Sequence, residues 1–371
     1  MKPVRLNIKT KSGAYQIIIG SRIIKNLKTY LNKNSIIFDK CLLVIDKNVP
    51  KKMISSISKS LRGKKIFRFK FNANEKNKSQ KNINKILKTL LNNNFSRKDC
   101  LISIGGGITG DVGGFAASLY KRGLQFINLP TTLLSQVDSS IGGKTGINTQ
   151  EGKNLIGSFY QPKIVISDIE FLKSLPKREI ICGYGEVLKH SLILNKSFYK
   201  YLDKNASKVL ELKTPYIEKA IFESCKIKKL IVEKDEKEIG IRKTLNFGHT
   251  FAHAYEATLG YSKRLNHGEA VILGIISALK FSLKNKLIKT KEFQKIMNHI
   301  VKMRLPLNIK NYFSLKNLNS IVLFMMKDKK NTSQKINLIL LKKIGSTIIQ
   351  NQYDIAIIRK FLKVELINQN L

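Results

Sequence analysis

The alternation of strand-like and helix-like patterns over the first 170 residues is the feature that most constrains the fold. Short runs rich in β-branched and aromatic residues recur in this part of the chain. They are VRLNI (4–8), YQIIIG (15–20), LLVID (42–46), IFRFKF (66–71), LISI (101–104), FINLP (126–130) and IVISD (164–168). Polar or amphipathic stretches separate several of these runs, which favours a mainly parallel sheet with helices on its faces. We therefore predict an α/β domain over residues 1–170.

Long helical patterns dominate the rest of the chain, from residue 171 onward. The predicted helices span 178–195, 197–210, 214–235, 248–259, 268–285 and 291–303. Two segments, INLILL (336–341) and STIIQ (346–350), are typical of strands instead. The pattern predicts a mainly α-helical second domain over residues 171–371.

Neither a membrane-spanning segment nor a disulfide framework is expected. The longest apolar run, Ala270 to Leu279, is far shorter than the roughly 18–20 residues that cross a bilayer. The first residues, MKPVRLNIKT, contain no apolar signal-peptide region. The cysteines Cys41, Cys100, Cys182 and Cys225 are widely spaced and form no CxxC pair. We therefore expect no membrane partner and a reducing, cytoplasmic location.

The formal net charge of +43 raises the question of nucleic-acid binding. The lysines are spread along the whole chain among many Asn and Ile residues, with no basic tail and no run of five cations. This pattern favours solvated lysine-rich faces over a nucleic-acid partner, and steering of an acidic substrate is a third interpretation. Composition alone does not decide between them.

A glycine-rich turn follows the predicted strand LISI. In LISIGGGITGDVGGFAASLY, Gly105, Gly107 and Gly110 match GxGxxG between a strand and a helical pattern. Such a turn lets helix N-terminal amides meet a phosphate. The acidic residue expected about 20 positions later is missing, but Asp46 ends another predicted strand and can serve instead. Nucleotide binding and a merely tight strand–helix turn both remain possible on these grounds.

The stretch from residue 129 to residue 162 is unusual for a structural loop. It sets Thr131, Thr132, Asp138, Ser139, Ser140, Lys144, Lys153 and Asn154 among glycines and apolar residues. Glycines allow a ligand to approach the backbone closely, and long loops without a function are uncommon in compact domains. The pattern favours a binding site over a surface loop.

Three of the five histidines, His249, His253 and His267, lie within 19 positions of one another. If residues 242–256 form one continuous helix, polar side chains share one of its faces. They are Arg242, Asn246, His249, His253 and Glu256. His249 and His253 then have zincin-like spacing, although HTFAH lacks the zincin glutamate. Local spacing therefore nominates this pair as metal ligands, with ordinary core packing as the alternative.

Two further groups complete the candidates in the helical half. His267 begins an apolar helical pattern, where a helix N-terminus keeps an imidazole neutral and able to bind a metal. Glu186, Lys189 and His190 share one face of an upstream pattern, as a surface ion pair or as part of a site. Two separated clusters favour a composite metal site more than either cluster does alone.

Together the motifs resemble the 3-dehydroquinate synthase family, whose members are NAD- and metal-dependent enzymes of the shikimate pathway. The motifs are GGGITGDVGGFAAS, RGLQFINLPTTLLSQVDSSIGGKTGIN, GKNLIGSFYQP, GYGEVLK, RKTLNFGHTFAHAYEATLGY, NHGEAV and DKKN. They occur in the family's order between about residues 100 and 330, and DSSIGGKTGIN followed by GHTFAH and HGEA is very specific. The resemblance implies a Rossmann-like NAD-binding domain followed by a mainly helical domain that binds metal and substrate.

The resemblance also implies roles for individual residues. It implies the metal ligands Glu186, His249 and His267, one from each of three helices, with zinc or cobalt as the metal. The implied substrate-pocket positions are Asp138, Lys144, Asn154, Lys189, Lys228, Arg242, Asn246, His253 and one of Lys329 and Lys330. Arg122 corresponds to an arginine that reaches phosphate from a neighbouring subunit, so a homodimer is implied as well.

Further positions resemble the family's NAD contacts. They are Asp46, Glu75, Lys78, Gly107, Ile108, Thr109, Gly110, Asp111, Thr131, Thr132, Lys144, Lys153, Phe171, Leu172, Lys173 and Ser174. Some residues depart from the family pattern, and Asn74 stands where Gly is usual. Because Asn tolerates positive φ, we expect the turn before Glu75 to survive. Ala73 replaces an acid and weakens one NAD contact, Ser174 replaces Thr, and His190 replaces Tyr.

The implied function is the conversion of 3-deoxy-D-arabino-heptulosonate 7-phosphate, a sugar-acid phosphate, to 3-dehydroquinate and phosphate. The implied steps are transient oxidation by NAD, β-elimination of phosphate, re-reduction and aldol cyclisation. NAD is regenerated in each turnover, so the enzyme is a carbon–oxygen lyase. The alternatives are a related sugar phosphate cyclase, a metal-dependent polyol dehydrogenase and, from another class, a basic nucleic-acid-binding protein.

Overall fold

The chain divides into two compact units in the computed structural model, which describes residues 3–327, 335–349 and 352–367. The first unit is Met1–Ile180 with Thr214–Lys237, and the second is Ile181–Lys213 with Glu238–Leu371. The first unit thus takes in two segments beyond residue 170, where the sequence suggests a boundary. The assignment of cofactor binding and metal binding to the two halves stays a prediction.

A seven-stranded sheet forms the centre of the first unit. Its strands, numbered along the chain, are β1 Val4–Thr10, β2 Gly13–Gly20, β3 Lys40–Asp46, β4 Lys65–Phe71, β5 Cys100–Gly105, β6 Gln125–Pro130 and β9 Ile164–Asp168. The hairpin β7 Lys144–Ile147 and β8 Ile156–Phe159 lies apart from this sheet. The order is β1-β2-β9-β6-β5-β3-β4, with β1–β2 antiparallel and the other pairs parallel. The mainly parallel sheet and its seven strands are therefore confirmed.

Strand β3 shows why these runs form the interior of the sheet. Leu43 and Ile45 pack into one apolar cluster, and Leu42 and Val44 pack into a second. Successive side chains on a strand point to opposite faces, so a continuous apolar run fits a strand covered on both sides. The covering helices of this unit are α1 Leu27–Lys33, α2 Lys51–Ser60, α3 Gln80–Asn92, α4 Gly107–Leu119 and α7 Tyr216–Lys234.

The second unit is mainly helical. Its helices are most of α5 Lys177–Leu194, α6 Lys196–Leu210, α8 His249–Thr258, α9 His267–Lys284, α10 Thr290–Lys302, α11 Leu318–Met326 and α12 Ile355–Ile367. Its strands β10 Lys335–Asn337, β11 Leu340–Lys343, β12 Ser346–Ile348 and β13 Gln352–Asp354 pair as β10–β13 and β11–β12. The helices predicted from the sequence are present, whereas α11 and α12 were not predicted and the strand at 336–341 is interrupted. In the part of the chain that the structure describes, no helix is long and apolar enough to cross a membrane.

Residues 242–256 do not form one continuous helix, so the condition for a shared polar face is not met, whereas the helix predicted over 248–259 is present as α8. Residues Ile241–Asn246 form a 3-10 turn, Gly248 has a φ of +78°, and α8 begins only at His249. A Cβ on Gly248 would lie 2.7 Å from the backbone nitrogen of Ile275, so this position requires glycine for space as well as for conformation. Arg242 and Asn246 therefore do not continue the helical face that carries His249.

Candidate active site

Glu186, His249 and His267 come together from three helices of the second unit. Glu186 lies on α5, and the two histidines are the first residues of α8 and α9. The Oε1 atom of Glu186 is 3.5 Å from Nε2 of His249 and 3.8 Å from Nε2 of His267. A cation about 2.0–2.2 Å from each of three ligand atoms requires ligand–ligand distances of this size. The geometry therefore fits the metal site that the family resemblance implies.

Glycines let the three helices approach closely, and each candidate ligand lies next to one of them. A Cβ on Gly268, beside His267, would lie 2.1 Å from the carbonyl oxygen of Cys182 on α5. A Cβ on Gly274 of α9 would lie 2.2 Å from the carbonyl oxygen of Gly248, beside His249. Gly185 precedes Glu186 and faces the carbonyl oxygen of Gly268 in the same way. The backbone contacts thus set the separation of the ligands.

The second nitrogen of each imidazole has an acceptor. His267 Nδ1 is 2.9 Å from Oε2 of Glu256, and His249 Nδ1 is 3.3 Å from the carbonyl oxygen of Phe247. A proton on Nδ1 leaves the Nε2 lone pair directed towards Glu186, as metal-binding histidines require. Burial, followed by the Lys189 charge, lowers the pKa of His249 and keeps the ring neutral. Two imidazoles and one carboxylate form a donor set that suits zinc or cobalt.

Lys189 and His253 flank this group of ligands. The ammonium of Lys189 contacts Oε2 of Glu186. The other oxygen of this carboxylate, Oε1, faces both imidazoles. Lys189 is 1% exposed, whereas His253 is exposed, with its ring centre 5.3 Å from that of His249. Among the described residues, the ligand atoms of Glu186, His249 and His267 lie within 4.8 Å of one another, and His253 is not in that group. The geometry favours the family-implied set over the His249/His253 pair.

Arg242 and Asn246 are further substrate-pocket candidates of the second unit. Arg242 is fully buried, and Nδ2 of Asn246 donates to Oε1 of Glu238 at 2.6 Å. Lys329 and Lys330, one of which the resemblance implies in the pocket, lie outside the described residues. His190 is buried in α5 next to Lys189.

In the first unit, the glycine-rich turn lies where three parallel strands end. Gly105 ends β5, and α4 begins at Gly107. A Cβ on Gly105 would lie 3.0 Å from Cβ of Asp46, the last residue of β3, and the backbone N–H of Thr131 donates to the Gly105 carbonyl. The N-terminal amides of α4 thus lie at the carboxyl edge of the sheet, the place where such sheets bind nucleotides. Burial raises the pKa of Asp46.

The buried Lys78, a predicted NAD contact, bonds to another predicted NAD contact, Asp111, and to a predicted substrate-pocket residue, Asn154. Nζ of Lys78 is 2.5 Å from Oδ2 of Asp111 and 2.5 Å from Oδ1 of Asn154. Burial raises the pKa of Asp111 although Lys78 opposes the shift. The structure therefore brings residues from three separate stretches of the sequence to one place.

An ion pair lies next to this lysine. Glu75 pairs with Lys153 at 2.8 Å and accepts a hydrogen bond from Asn148. Burial acts to raise the pKa of Glu75, but Lys153 and Asn148 outweigh it, so the pKa is lowered. The sequence analysis missed Asn148, which no motif spacing singled out. Asn74 is extended, with a φ of −157°, and its side chain caps the following turn, so a turn is present here without a positive φ at Asn74.

Lys228 and Asp138 form a further ion pair in the first unit. Nζ of Lys228, on α7, is 2.8 Å from Oδ1 of Asp138 and also donates to the Asp138 carbonyl oxygen at 2.7 Å. Asp138 belongs to the π-helical turn Ser135–Ser139, whose Ser139 lies against Gly107. Lys144 is exposed at the start of β7 and lines a cavity together with Asp111 and Ser139. The cavity lies directly beside the start of α4.

Other predicted contacts are placed differently. Phe171 and Leu172 are buried in the turn after β9, so a ligand can contact only their backbone. The side chain of Thr132 forms a hydrogen bond with the side chain of Ser135, three residues later. Lys173 pairs with Glu170 on the surface. Arg122 lies exposed after the far end of α4, about 20 Å along the helix from Gly107 at 1.5 Å per residue. The structure therefore does not bring Arg122 to the glycine-rich turn of the first unit.

The fold is shared with two synthases of known structure. A crystal structure of 2-deoxy-scyllo-inosose synthase complexed with carbaglucose-6-phosphate, NAD+ and Co2+ is 22% identical, with a TM-score of 0.85. The match covers 98% of this chain and 99% of that one. The structure of 2-epi-5-epi-valiolone synthase from Streptomyces hygroscopicus subsp. jinggangensis 5008, with NAD+ and Zn2+ bound, is 21% identical, with a TM-score of 0.85 and coverage of 96% and 98%. These likenesses confirm the predicted fold class.

Sequence comparison identifies the family within this class. The family model described as 3-dehydroquinate synthase N-terminal matches residues 68–182, and the model described as 3-dehydroquinate synthase C-terminal matches residues 183–331. The 3-dehydroquinate synthase of Pelagibacter ubique (strain HTCC1062) is 60% identical over 98% of this chain and 99% of its own length. The chain belongs to the 3-dehydroquinate synthase family. Its function is that of a 3-dehydroquinate synthase, and the prediction from its motifs is confirmed.

Proposed function

We propose that Glu186, His249 and His267 hold a zinc or cobalt ion, and that NAD binds at the carboxyl edge of the sheet in the first unit. The observation that carries the metal assignment is the arrangement of the two imidazoles. Both direct Nε2 towards one buried carboxylate oxygen, while an acceptor holds each Nδ1. The synthases of the same fold that were solved with NAD+ and Co2+ or Zn2+ support the same pair of cofactors.

The cofactors supply chemistry that side chains lack. When bound, NAD would supply reversible hydride transfer at the substrate alcohol, and a metal held by Glu186, His249 and His267 would lower the pKa of that alcohol. The residues of this chain orient the cofactor. The α4 N-terminus binds the pyrophosphate through backbone amides, and Asp46 accepts hydrogen bonds from ribose hydroxyls.

Four cations of this chain match the charge of the substrate, 3-deoxy-D-arabino-heptulosonate 7-phosphate. They are Lys144, Lys189, Lys228 and Arg242. A buried guanidinium such as that of Arg242 clamps a carboxylate or phosphate through two hydrogen bonds. Asp138 fixes the direction of the Lys228 ammonium through its ion pair. These contacts hold the substrate in one reactive position, which is the main contribution of the protein to the rate.

The elimination needs a base near the leaving phosphate. In the ketone formed from the substrate, a phosphate oxygen removes the proton from the carbon next to the carbonyl. The C–O bond to phosphate then breaks, and its electron pair leaves with phosphate. His253, exposed beside His249, is placed to exchange a proton with a substrate oxygen during the later ring opening and closure. The product of the aldol step is 3-dehydroquinate.

The proposal extends to assembly and location. Arg122 lies at the far end of α4 from Gly107, so we assign it to the substrate phosphate of a partner subunit in a homodimer. The cysteines Cys41, Cys100, Cys182 and Cys225 are all buried and form no disulfide with one another, which fits a reducing cytoplasm. Nucleic acid is not proposed as a partner, because the lysines form no localised stripe in the sequence.

Phosphate release from 3-deoxy-D-arabino-heptulosonate 7-phosphate tests the proposed function. The purified protein is assayed with and without added NAD, and with and without a chelator followed by zinc or cobalt. We expect release that requires both cofactors and leaves no NADH behind. NADH accumulation with simple polyols, without phosphate release, would instead identify a dehydrogenase.

A further inference from the structure

We propose that Glu256 is a positioning residue, which fixes the tautomer and orientation of His267 for metal binding. The inference rests on the proposed metal site. Oε2 of Glu256 is 2.9 Å from Nδ1 of His267, and Glu256 is 5% exposed. With its proton on Nδ1, His267 presents the Nε2 lone pair to the point that Glu186 and His249 also face. Glu256 does not itself touch the metal.

The place of Glu256 in its helix supports this role. Glu256 lies in the last turn of α8, where the partial negative charge of the helix end disfavours a carboxylate. Burial of the carboxylate adds a desolvation cost. His267 is the first residue of α9, and this end of the helix carries a partial positive charge. The hydrogen bond from Nδ1–H of His267 and this charge together offset both costs. A carboxylate held in such a place against a ligand histidine matches the acceptors that orient metal-binding imidazoles elsewhere.

Helix α8 thus serves both histidines. It supplies His249 as a ligand from its first residue, and it supplies Glu256 two turns later on the same face, at i+7. The carboxylate also makes the His267 ring more basic, so its Nε2 atom is a stronger ligand. His249 is oriented by a neutral acceptor, the carbonyl oxygen of Phe247. Only one of the two imidazoles therefore depends on a side chain that substitution can remove.

Zinc titration of the full-length chain, in competition with a chromophoric chelator, tests the proposal. We expect Glu256→Ala to raise the zinc Kd by about 10–100-fold. Glu256→Gln keeps an acceptor oxygen but loses the charge, so we expect a smaller rise, about 3–10-fold, that partly rescues the alanine variant. The visible spectrum of bound Co2+ should shift in the same order. Glu365→Gln is the matched control, because it also removes a largely buried carboxylate, which pairs with Lys280 at 2.7 Å.

Thermal unfolding in chelator separates positioning from folding. A merely structural Glu256 predicts lower stability with an unchanged zinc Kd and cobalt spectrum, and that result would overturn the proposal. If Glu256→Ala does not fold, the glutamine variant decides, and wild-type affinity in it would equally overturn the proposal. His249→Ala identifies which idea fails. If His249→Ala binds zinc as tightly as the wild type does, the proposed metal site and the role of Glu256 are both refuted. If His249→Ala loses zinc affinity while the Glu256 variants keep it, only the role of Glu256 is refuted.

Discussion

The carboxyl edge of the sheet and the three-helix group in the second unit carry their charges differently. At the sheet edge, four of the predicted charged contacts form two ion pairs within the chain, Lys78 with Asp111 and Lys153 with Glu75. In the second unit, two imidazoles face Oε1 of Glu186, while Lys189 contacts the other oxygen. The first arrangement is electrostatically complete without a ligand, whereas the second gains its best partner when a cation binds.

The difference predicts how each region responds to its ligand. A nucleotide at the sheet edge has to exchange existing ion pairs for new contacts, so part of the gross binding energy is lost. A cation among Glu186, His249 and His267 gains three ligand bonds and leaves the His267–Glu256 hydrogen bond intact. A ligand at 100 times its Kd stabilises a protein by about 2.7 kcal/mol. Tight metal binding should therefore raise the unfolding temperature more than NAD does.

Removal of a metal ligand should have the largest effect. We expect His249→Ala to abolish zinc binding and phosphate release while NAD binding remains measurable, because the sheet edge belongs to the other unit. His253→Ala is the matched variant, one helical turn away on the same helix. It should keep zinc affinity within a few-fold but lose activity. The reverse pattern in zinc titrations would favour the His249/His253 pair and refute the three-helix site.

The next largest effect should come from a glycine that sets the helix spacing. Gly268→Ala places a Cβ 2.1 Å from a backbone oxygen of α5, so α5 and α9 must move apart. We expect a loss of about 1–3 kcal/mol in unfolding free energy, typical of overpacking, and weaker zinc binding. Gly185→Ala meets its nearest atom at 2.8 Å and should lose less. Urea unfolding in chelator and zinc titration measure both quantities, and equal behaviour of the two variants would contradict the spacing argument.

An intermediate effect is expected at the buried ion pair of the sheet edge. Lys78→Met leaves the largely buried Asp111 carboxylate without its cation, so we expect NAD affinity to fall about 10–100-fold. The pair of Lys153 with Glu75 is more exposed, and such pairs contribute about 0.2–1 kcal/mol. Lys153→Met should therefore weaken NAD binding by a few-fold only. Titration with NADH measures both, and unchanged zinc affinity in each variant is the control.

The smallest effect concerns His299, a buried histidine outside both regions. Its ring contacts Tyr184 through Nε2 at 2.8 Å, and burial lowers its pKa although Asp203 opposes the shift. Below pH 6.5 the unfolded chain takes up a proton that the folded ring resists, so stability falls as the pH falls through about 6.5. Urea unfolding in chelator between pH 5.5 and 7.5 should show a flatter profile for His299→Gln. A profile equal to that of the wild type would contradict this.

Much of the fold could be predicted because local patterns determine it. The apolar run of β3 and its neighbours marks buried strands, and the helix periods locate α5 to α10 within a few residues. Whether a helix continues through 242–256 could not be decided from the sequence, because one glycine in a helical pattern is usually tolerated, whereas Gly248 adopts the left-handed conformation and begins a new helix. Helices α11 and α12 were missed as well.

The candidate site is harder to predict from local spacing, because its geometry depends on distant backbone contacts. His249 and His253 look like a pair on one helix, but Glu186 reaches His249 only because α5, α8 and α9 pack through glycines. Likewise Lys78 meets Asp111 across 33 positions of sequence. Only the resemblance to a family connected these residues before the structure did. No motif assigns a role to Glu256, and only the structure shows its contact with His267.

Anomalous diffraction from crystals loaded with zinc, measured on both sides of the zinc absorption edge, tests the central claim most directly. A metal site formed by the three helices predicts one strong peak, about 2.0–2.2 Å from Oε1 of Glu186 and from Nε2 of His249 and His267. The same crystals should show Nδ1 of His267 still bonded to Glu256. A peak between His249 and His253, or the absence of any peak near Glu186 in zinc-loaded active enzyme, would contradict it.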